Sequence, residues 1–158
     1  MLKVNRKVEY GLLALKHMSA KPQGELSTVR EICECYGMPF DPLAHVLRVL
    51  NMKGLVQSEQ GAYGGYRIAM DLALVPFADF VEMIEGQLAF AECVVRNDAQ
   101  CQQAKGKKTC DIRSRCNIQT SMHVIHQRMV QALQSLNLKE LIQLEACDVP
   151  TTALSKPA

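Results

Sequence analysis

The 158-residue chain has no tryptophan, no Cys-x-x-Cys pair and no uninterrupted apolar run long enough to cross a membrane. Its first residues, Met1-Leu2-Lys3-Val4-Asn5-Arg6-Lys7, lead into an apolar stretch broken by Glu9 and Lys16. That pattern fits neither a signal peptide nor a membrane span, and the expected location is cytoplasmic. An excess of one charge sign is also lacking: 18 Lys and Arg stand against 16 Asp and Glu, a formal net charge of +2. No nucleophile–base pair is legible, and the glycines at 61–65 lack the strand-to-helix setting of a phosphate-cradling loop, so the chain does not read as an enzyme. With 48% hydrophobic and 22% charged residues, a single domain with an ordinary core is expected, neither disordered throughout nor dependent on disulfides.

Against these absences stand seven cysteines. The odd count forbids complete intramolecular pairing, and in a reducing compartment so many thiols invite a metal or redox explanation. Charge distribution singles out four of them. Residues 1–75 carry nine basic and seven acidic side chains, residues 76–92 four acidic and none basic, and residues 93–116 six basic and two acidic. Cys93, Cys101, Cys110 and Cys116 all fall in that last, basic stretch, separated by seven, eight and five residues. The spacing is unlike a zinc ribbon. Thiolates on a loop suit a soft metal or an iron–sulfur cluster, and Arg96, Lys105, Lys107, Lys108, Arg113 and Arg115 would favour the thiolate and offset a cluster's negative charge. The same setting suits a metal-free thiol switch, and the lysines also read simply as a solvated loop. Cys33, Cys35 and Cys147 read as small buried apolar residues.

Along the chain, Val8, Leu12 and Leu15 mark a first helix ending near Met18-Ser19. Thr28 and Glu31 have the spacing of a capping box that opens a second helix, stopped at Gly37. Asp41 followed by Pro42 predicts the N-cap and first position of a third helix running through Leu43, Val46, Leu47 and Leu50 to Gly54. Two strands around the glycine-rich turn at 60–65 form a hairpin directly after this helix-turn-helix, which is the order of a winged helix. A fourth helix spans Pro76 to Glu85. Ile118, Met122, Ile125, Met129, Ala132 or Leu133, and Leu136 recur in steps of four and three, a seam that suits a dimer helix as well as packing within one domain. The expected fold class is mainly α with a small β-hairpin wing. Its parts are a DNA-binding region at 1–75, a connecting helix at 76–92, a cysteine-rich loop at 93–116, a dimerisation helix at 117–148 and a disordered tail at 149–158.

For double-stranded DNA, the third helix offers Asp41, His45, Arg48 and Asn51, and the wing offers Tyr63, Gly64, Gly65 and Arg67. The text Lys7-Val8-Glu9-Tyr10-Gly11-Leu12, Leu50-Asn51-Met52-Lys53-Gly54-Leu55-Val56 and Gly61-Ala62-Tyr63-Gly64-Gly65-Tyr66-Arg67-Ile68-Ala69 resembles the winged-helix transcription regulators of the IscR/NsrR/CymR type. The resemblance covers residues 1–148. It implies a homodimeric, DNA-binding transcription regulator whose affinity for its operator is controlled by an iron–sulfur cluster, [2Fe-2S] ahead of [4Fe-4S], responding to redox state, iron or nitric oxide. Cys93, Cys110 and Cys116 match the family's three cysteine ligands, with Cys101 the alternative to Cys93 in an unusually long interval. Where some members place a histidine three residues after the last cysteine, this chain has Gln119, and Glu9 stands where others supply a carboxylate from the first helix. Two rival readings remain at this level: a regulator working by thiol–disulfide chemistry without metal, and a cluster carrier whose winged helix only docks a partner.

Overall fold

A computed structural model of the chain describes residues 5–22, 24–61, 63–88, 94 and 115–143. Helix α1 (Arg6–Ser19) is capped by the Asn5 side chain, which accepts from the Lys7 N–H. Helix α2 (Val29–Tyr36) opens on the capping box: Thr28 Oγ1 accepts from the Glu31 N–H, and Glu31 returns an acceptor to the Thr28 N–H. It closes on Gly37, whose φ of 64° is the left-handed conformation that glycine adopts without Cβ strain. Helix α3 (Phe40–Met52) follows. It corrects the expected start, because the N-cap is Pro39 and Asp41 lies inside the first turn. Pro42 is tolerated there since first-turn N–H groups have no intrahelical acceptor to lose.

Strands β1 (Val56–Glu59) and β2 (Gly65–Ile68) pair antiparallel with Val56 opposite Ile68 and Glu59 opposite Gly65. A 3-10 turn at Leu72–Leu74 leads to α4 (Phe77–Glu85), then α5 (Gln119–Gln134) and the short α6 (Leu138–Gln143). The molecule is thus mostly helical with a two-stranded antiparallel wing.

The core lies between α1, α3 and α4 and is almost wholly aliphatic: Leu15, Leu43, Val46, Leu47, Leu50 and Leu55 are fully buried around Phe80. Each such side chain contributes about 1.5–3 kcal/mol relative to exposure. Gly11 lets α1 and α4 meet, since a Cβ there would sit 2.8 Å from the Phe80 ring. The carboxyl-terminal elements are clasped to the start of α4 by the Phe77 N–H to Leu136 carbonyl (2.8 Å) and Leu138 N–H to Val75 carbonyl (3.0 Å) bonds. Leu138 and Ile142 of α6 then close the core. The seam of α5 divides: Met122, Met129 and Leu133 are half-covered, whereas Ile118, Ile125, Ala132 and Leu136 are exposed, and no residue of α5 is buried. Cys33 and Cys35 are half-buried rather than buried, and Cys147 lies outside the described residues. Among the described residues, no helix is long and apolar enough to cross a membrane.

Candidate nucleic-acid interface

Burial of Leu43, Val46, Leu47 and Leu50 fixes how α3 is rotated about its axis. The opposite side is a stripe at i, i+4, i+7 and i+11: Asp41, His45, Arg48 and Met52 are all exposed. Among the described residues, the side chains of Asp41, His45 and Arg48 make no hydrogen bond or ion pair. Phe40, at the first helical position, is 53% exposed, and Met52 is 78% exposed. The sequence reading passed over both apolar residues, although helical arithmetic from Asp41 and Arg48 leads to Met52.

The wing is fastened to α3 at its base. Asn51 is spent on this joint: its Oδ1 accepts from the Ser58 N–H at 3.1 Å. The Leu55 N–H donates to the Leu50 carbonyl and the Ala69 N–H to the Leu55 carbonyl, both at 3.0 Å. On the other edge, β2 meets Ser27 just before α2 through a reciprocal pair, Ser27 N–H to the Tyr66 carbonyl and Tyr66 N–H to the Ser27 carbonyl. Gly65 is required here because a Cβ would stand 2.7 Å from the Ser27 oxygen, and a Cβ on Gly64 would collide with the Glu59 carbonyl. Both glycines thus serve the wing's own geometry. Tyr63, at the tip, is 95% exposed. Arg67 is held within the hairpin by an ion pair to Glu59 at 2.6 Å and a bond to Gln57 Oε1 at 3.2 Å, so its charge is largely compensated in place.

Of the thiol set, Cys116 is free and half-buried just before α5, while Cys93, Cys101 and Cys110 lie outside the described residues. Glu9 is exposed on the first turns of α1, 3.9 Å from Arg6. Asn5 Nδ2 donates to Glu85 at 2.8 Å, which brings the start of α1 beside the end of α4, where the chain leaves toward Cys93. Among the described residues, no three His, Cys, Asp or Glu side chains converge as a metal site.

A polar cluster that the sequence did not announce joins α1 to α2. His17, 8% exposed, approaches Glu31 Oε1 through Nε2 at 3.1 Å, and Lys21 Nζ reaches the same oxygen at 2.6 Å. Lys21 also donates to the Leu26 carbonyl, and the His17 and Tyr36 rings meet edge to face. Burial works to raise the pKa of Glu31, but the bonds from Lys21, His17 and Thr28 and the Lys21 charge outweigh it and hold the carboxyl below its ordinary value. Burial, with the neighbouring Glu34 charge, pushes the Cys33 thiol up, so this cysteine is poorly suited to act as a thiolate.

Comparison with known proteins adds four findings. The family described as Rrf2, iron-dependent transcriptional regulator, matches residues 4–144. The transcriptional regulator NsrR of Shouchella clausii is 24% identical over 134 residues, covering 85% of this chain and 84% of the relative. The structure of CymR, the global cysteine regulator of B. subtilis, superposes with a TM-score of 0.66 at 21% identity, covering 92% of this chain and 99% of that one. That of T. potens IscR gives 0.58 at 21% identity, covering 99% and 94%. These structural likenesses establish the shared fold.

Proposed function

The chain belongs to the Rrf2 family of iron-dependent transcriptional regulators, and from that premise we propose that it grips a double-stranded DNA operator as a homodimer, with affinity set by an iron–sulfur cluster. The observation that carries the DNA reading is the uncovered stripe Asp41, His45, Arg48 and Met52 beside a wing tipped by Tyr63. The helix is offered to base edges in the major groove, and the wing to the backbone. Ile125 and Ala132 on α5, with Ile118 and Leu136 at its two ends, supply an apolar strip for a second copy, and a two-fold protein matches two half-sites one helical turn apart.

The donor chemistry fits a cluster. Cys93, Cys110 and Cys116 are the thiolates, Cys101 is the alternative to Cys93, and Glu9 is the carboxylate. Cys116 is in no disulfide, and Glu9 has only its loose contact with Arg6 among the described residues, so both donors are available. A bound cluster supplies redox sensitivity and ready loss, since carboxylate ligation is weak for a soft centre. The chain's own contribution is mechanical. Fixing the Cys116 thiol fixes the entry to α5; α5 packs on α4, and α4 packs on both α1 and α3. A change at Cys116 therefore reaches the presentation of α3 through packed helices, a coupling free energy between two sites.

The test is purification without oxygen, followed by an absorption spectrum, iron and sulfide counts, and duplex binding before and after oxidation. Visible charge-transfer absorption that is lost in Cys116→Ala, with duplex affinity that follows the cluster, is the expected result. Colourless, iron-free protein would overturn the cluster reading. If its DNA binding then tracked a disulfide seen by mass spectrometry, the thiol reading, which the additional Cys101 favours, would replace it. The absence of salt-dependent duplex binding in every state would overturn the DNA reading itself.

A further inference from the structure

We propose that Asp41 is a base-reading residue that selects cytosine in each half-site, an inference that rests on the DNA-binding reading above. Asp followed by Pro is a helix-start signal, and a carboxylate engaged in capping would have nothing left for DNA. The structure removes that engagement: the cap position belongs to Pro39, which makes no side-chain cap bond. The Asp41 carboxylate stands on the exposed stripe with His45 and Arg48, without a hydrogen-bond or ion-pair partner among the described residues.

An unpaired carboxylate on a DNA-facing surface is a liability against phosphates, which repel it. It gains only where a base edge presents an amine. In the major groove two bases do so, adenine through N6 and cytosine through N4. The adenine amine is flanked on one side by its own N7 acceptor and on the other by O4 of the paired thymine, both of which repel a carboxylate. The cytosine amine has an acceptor on one side only, O6 of the paired guanine. The chemistry therefore selects cytosine, with an Asp41 carboxylate oxygen accepting from N4–H. Arg48 lies on the same stripe two helical turns further on, about 10 Å along the axis at 1.5 Å per residue. Its guanidinium suits guanine O6 and N7, so the stripe presents an acceptor at one end and donors at the other.

The bland alternative is that Asp41 only complements the amino-terminal pole of α3, as any first-turn acid does. Selection from a pool of random-sequence DNA duplexes by the full-length protein, by Asp41→Ala and by Asp41→Asn separates the two. The wild-type site should contain one C·G pair per half-site at which a mismatch weakens binding by about 5- to 150-fold. Asp41→Ala should erase that one preference, leave the rest of the site intact and bind non-cognate duplex more tightly. Asp41→Asn should turn the preference toward adenine, whose N6 and N7 an amide reads as a pair. An unchanged site in both variants overturns the proposal, whether or not their melting temperatures fall. If the wild-type protein recovers no site and binds no duplex, the DNA-binding reading has failed, and the proposal with it.

Discussion

Glu31 is the residue on which most of the local polar structure converges. One carboxylate oxygen takes His17 and Lys21, and the other takes the Thr28 N–H. Because its folded-state pKa lies below the ordinary value, the stability it contributes is fully present above the unfolded carboxyl's value and is lost as pH falls through the lowered one. Glu31→Gln should therefore melt below wild type at neutral pH, and the gap should close on acidification through the carboxylate range. Melting curves of both proteins across that range check this, and a gap independent of pH would contradict it. Thr28→Ala removes the hydroxyl that accepts from the Glu31 N–H and should cost about 1 kcal/mol. Thr28 with Glu31 was legible in the sequence because a capping box is an i, i+3 pattern. His17 and Lys21 were not, since they lie 14 and 10 residues away and reach Glu31 only once α1 and α2 are packed.

The wing is tied to α3 and to the residue before α2 mainly by backbone bonds. Ser27 pairs with Tyr66, Leu55 with Leu50 and Ala69, and the Asn51 side chain closes the base of β1. Gly65→Ala places a methyl group against the Ser27 carbonyl, and backbone has no rotamer to yield. A loss of about 1–3 kcal/mol is expected, as for other forced overpacking, with the wing's amide protection from hydrogen exchange reduced before that of α1. Equal protection in the variant and the wild type would show that the sheet edge has slack. The order of helices and hairpin was readable from periodicity and glycine placement. The start of α3 was not, because Asp-Pro marks a first turn without saying which of its residues is the cap. The role of Arg67 was also hidden: a cation in a wing looks free until the strand register sets it beside Glu59 and Gln57. Arg48→Ala should accordingly weaken binding to the selected operator by about 1–3 kcal/mol and relax one base position. Arg67→Ala should act mainly through hairpin stability, a difference that titrations paired with melting curves resolve.

For the whole molecule, the decisive surface is the strip along α5. Periodicity revealed an apolar seam but not who covers it, since any neighbour satisfies the same spacing. Met122, Met129 and Leu133 are half-covered, and α5 packs on α4. The remaining positions are more open: Ile118 is 51% exposed, Ile125 43% and Leu136 38%, with Leu74 78% exposed beside the clasp that holds Leu136. Apolar side chains left open at helical spacing suit an interaction face, and a strip along one helix suits two-fold pairing. Ile125→Glu would place a carboxylate in the middle of that face while touching nothing in the core, since no residue of α5 is buried. The variant should keep the wild-type helical content and sediment as a monomer. Its operator affinity should fall steeply, because each half-site then binds without the effective concentration that linkage supplies. Half-site duplexes are the control: Ile125→Glu should bind a single half-site as well as wild type does, since α3 and the wing are untouched. A variant that stays dimeric would place the interface elsewhere, and one that loses half-site binding too would mean that α5 supports the winged helix directly instead of joining two of them.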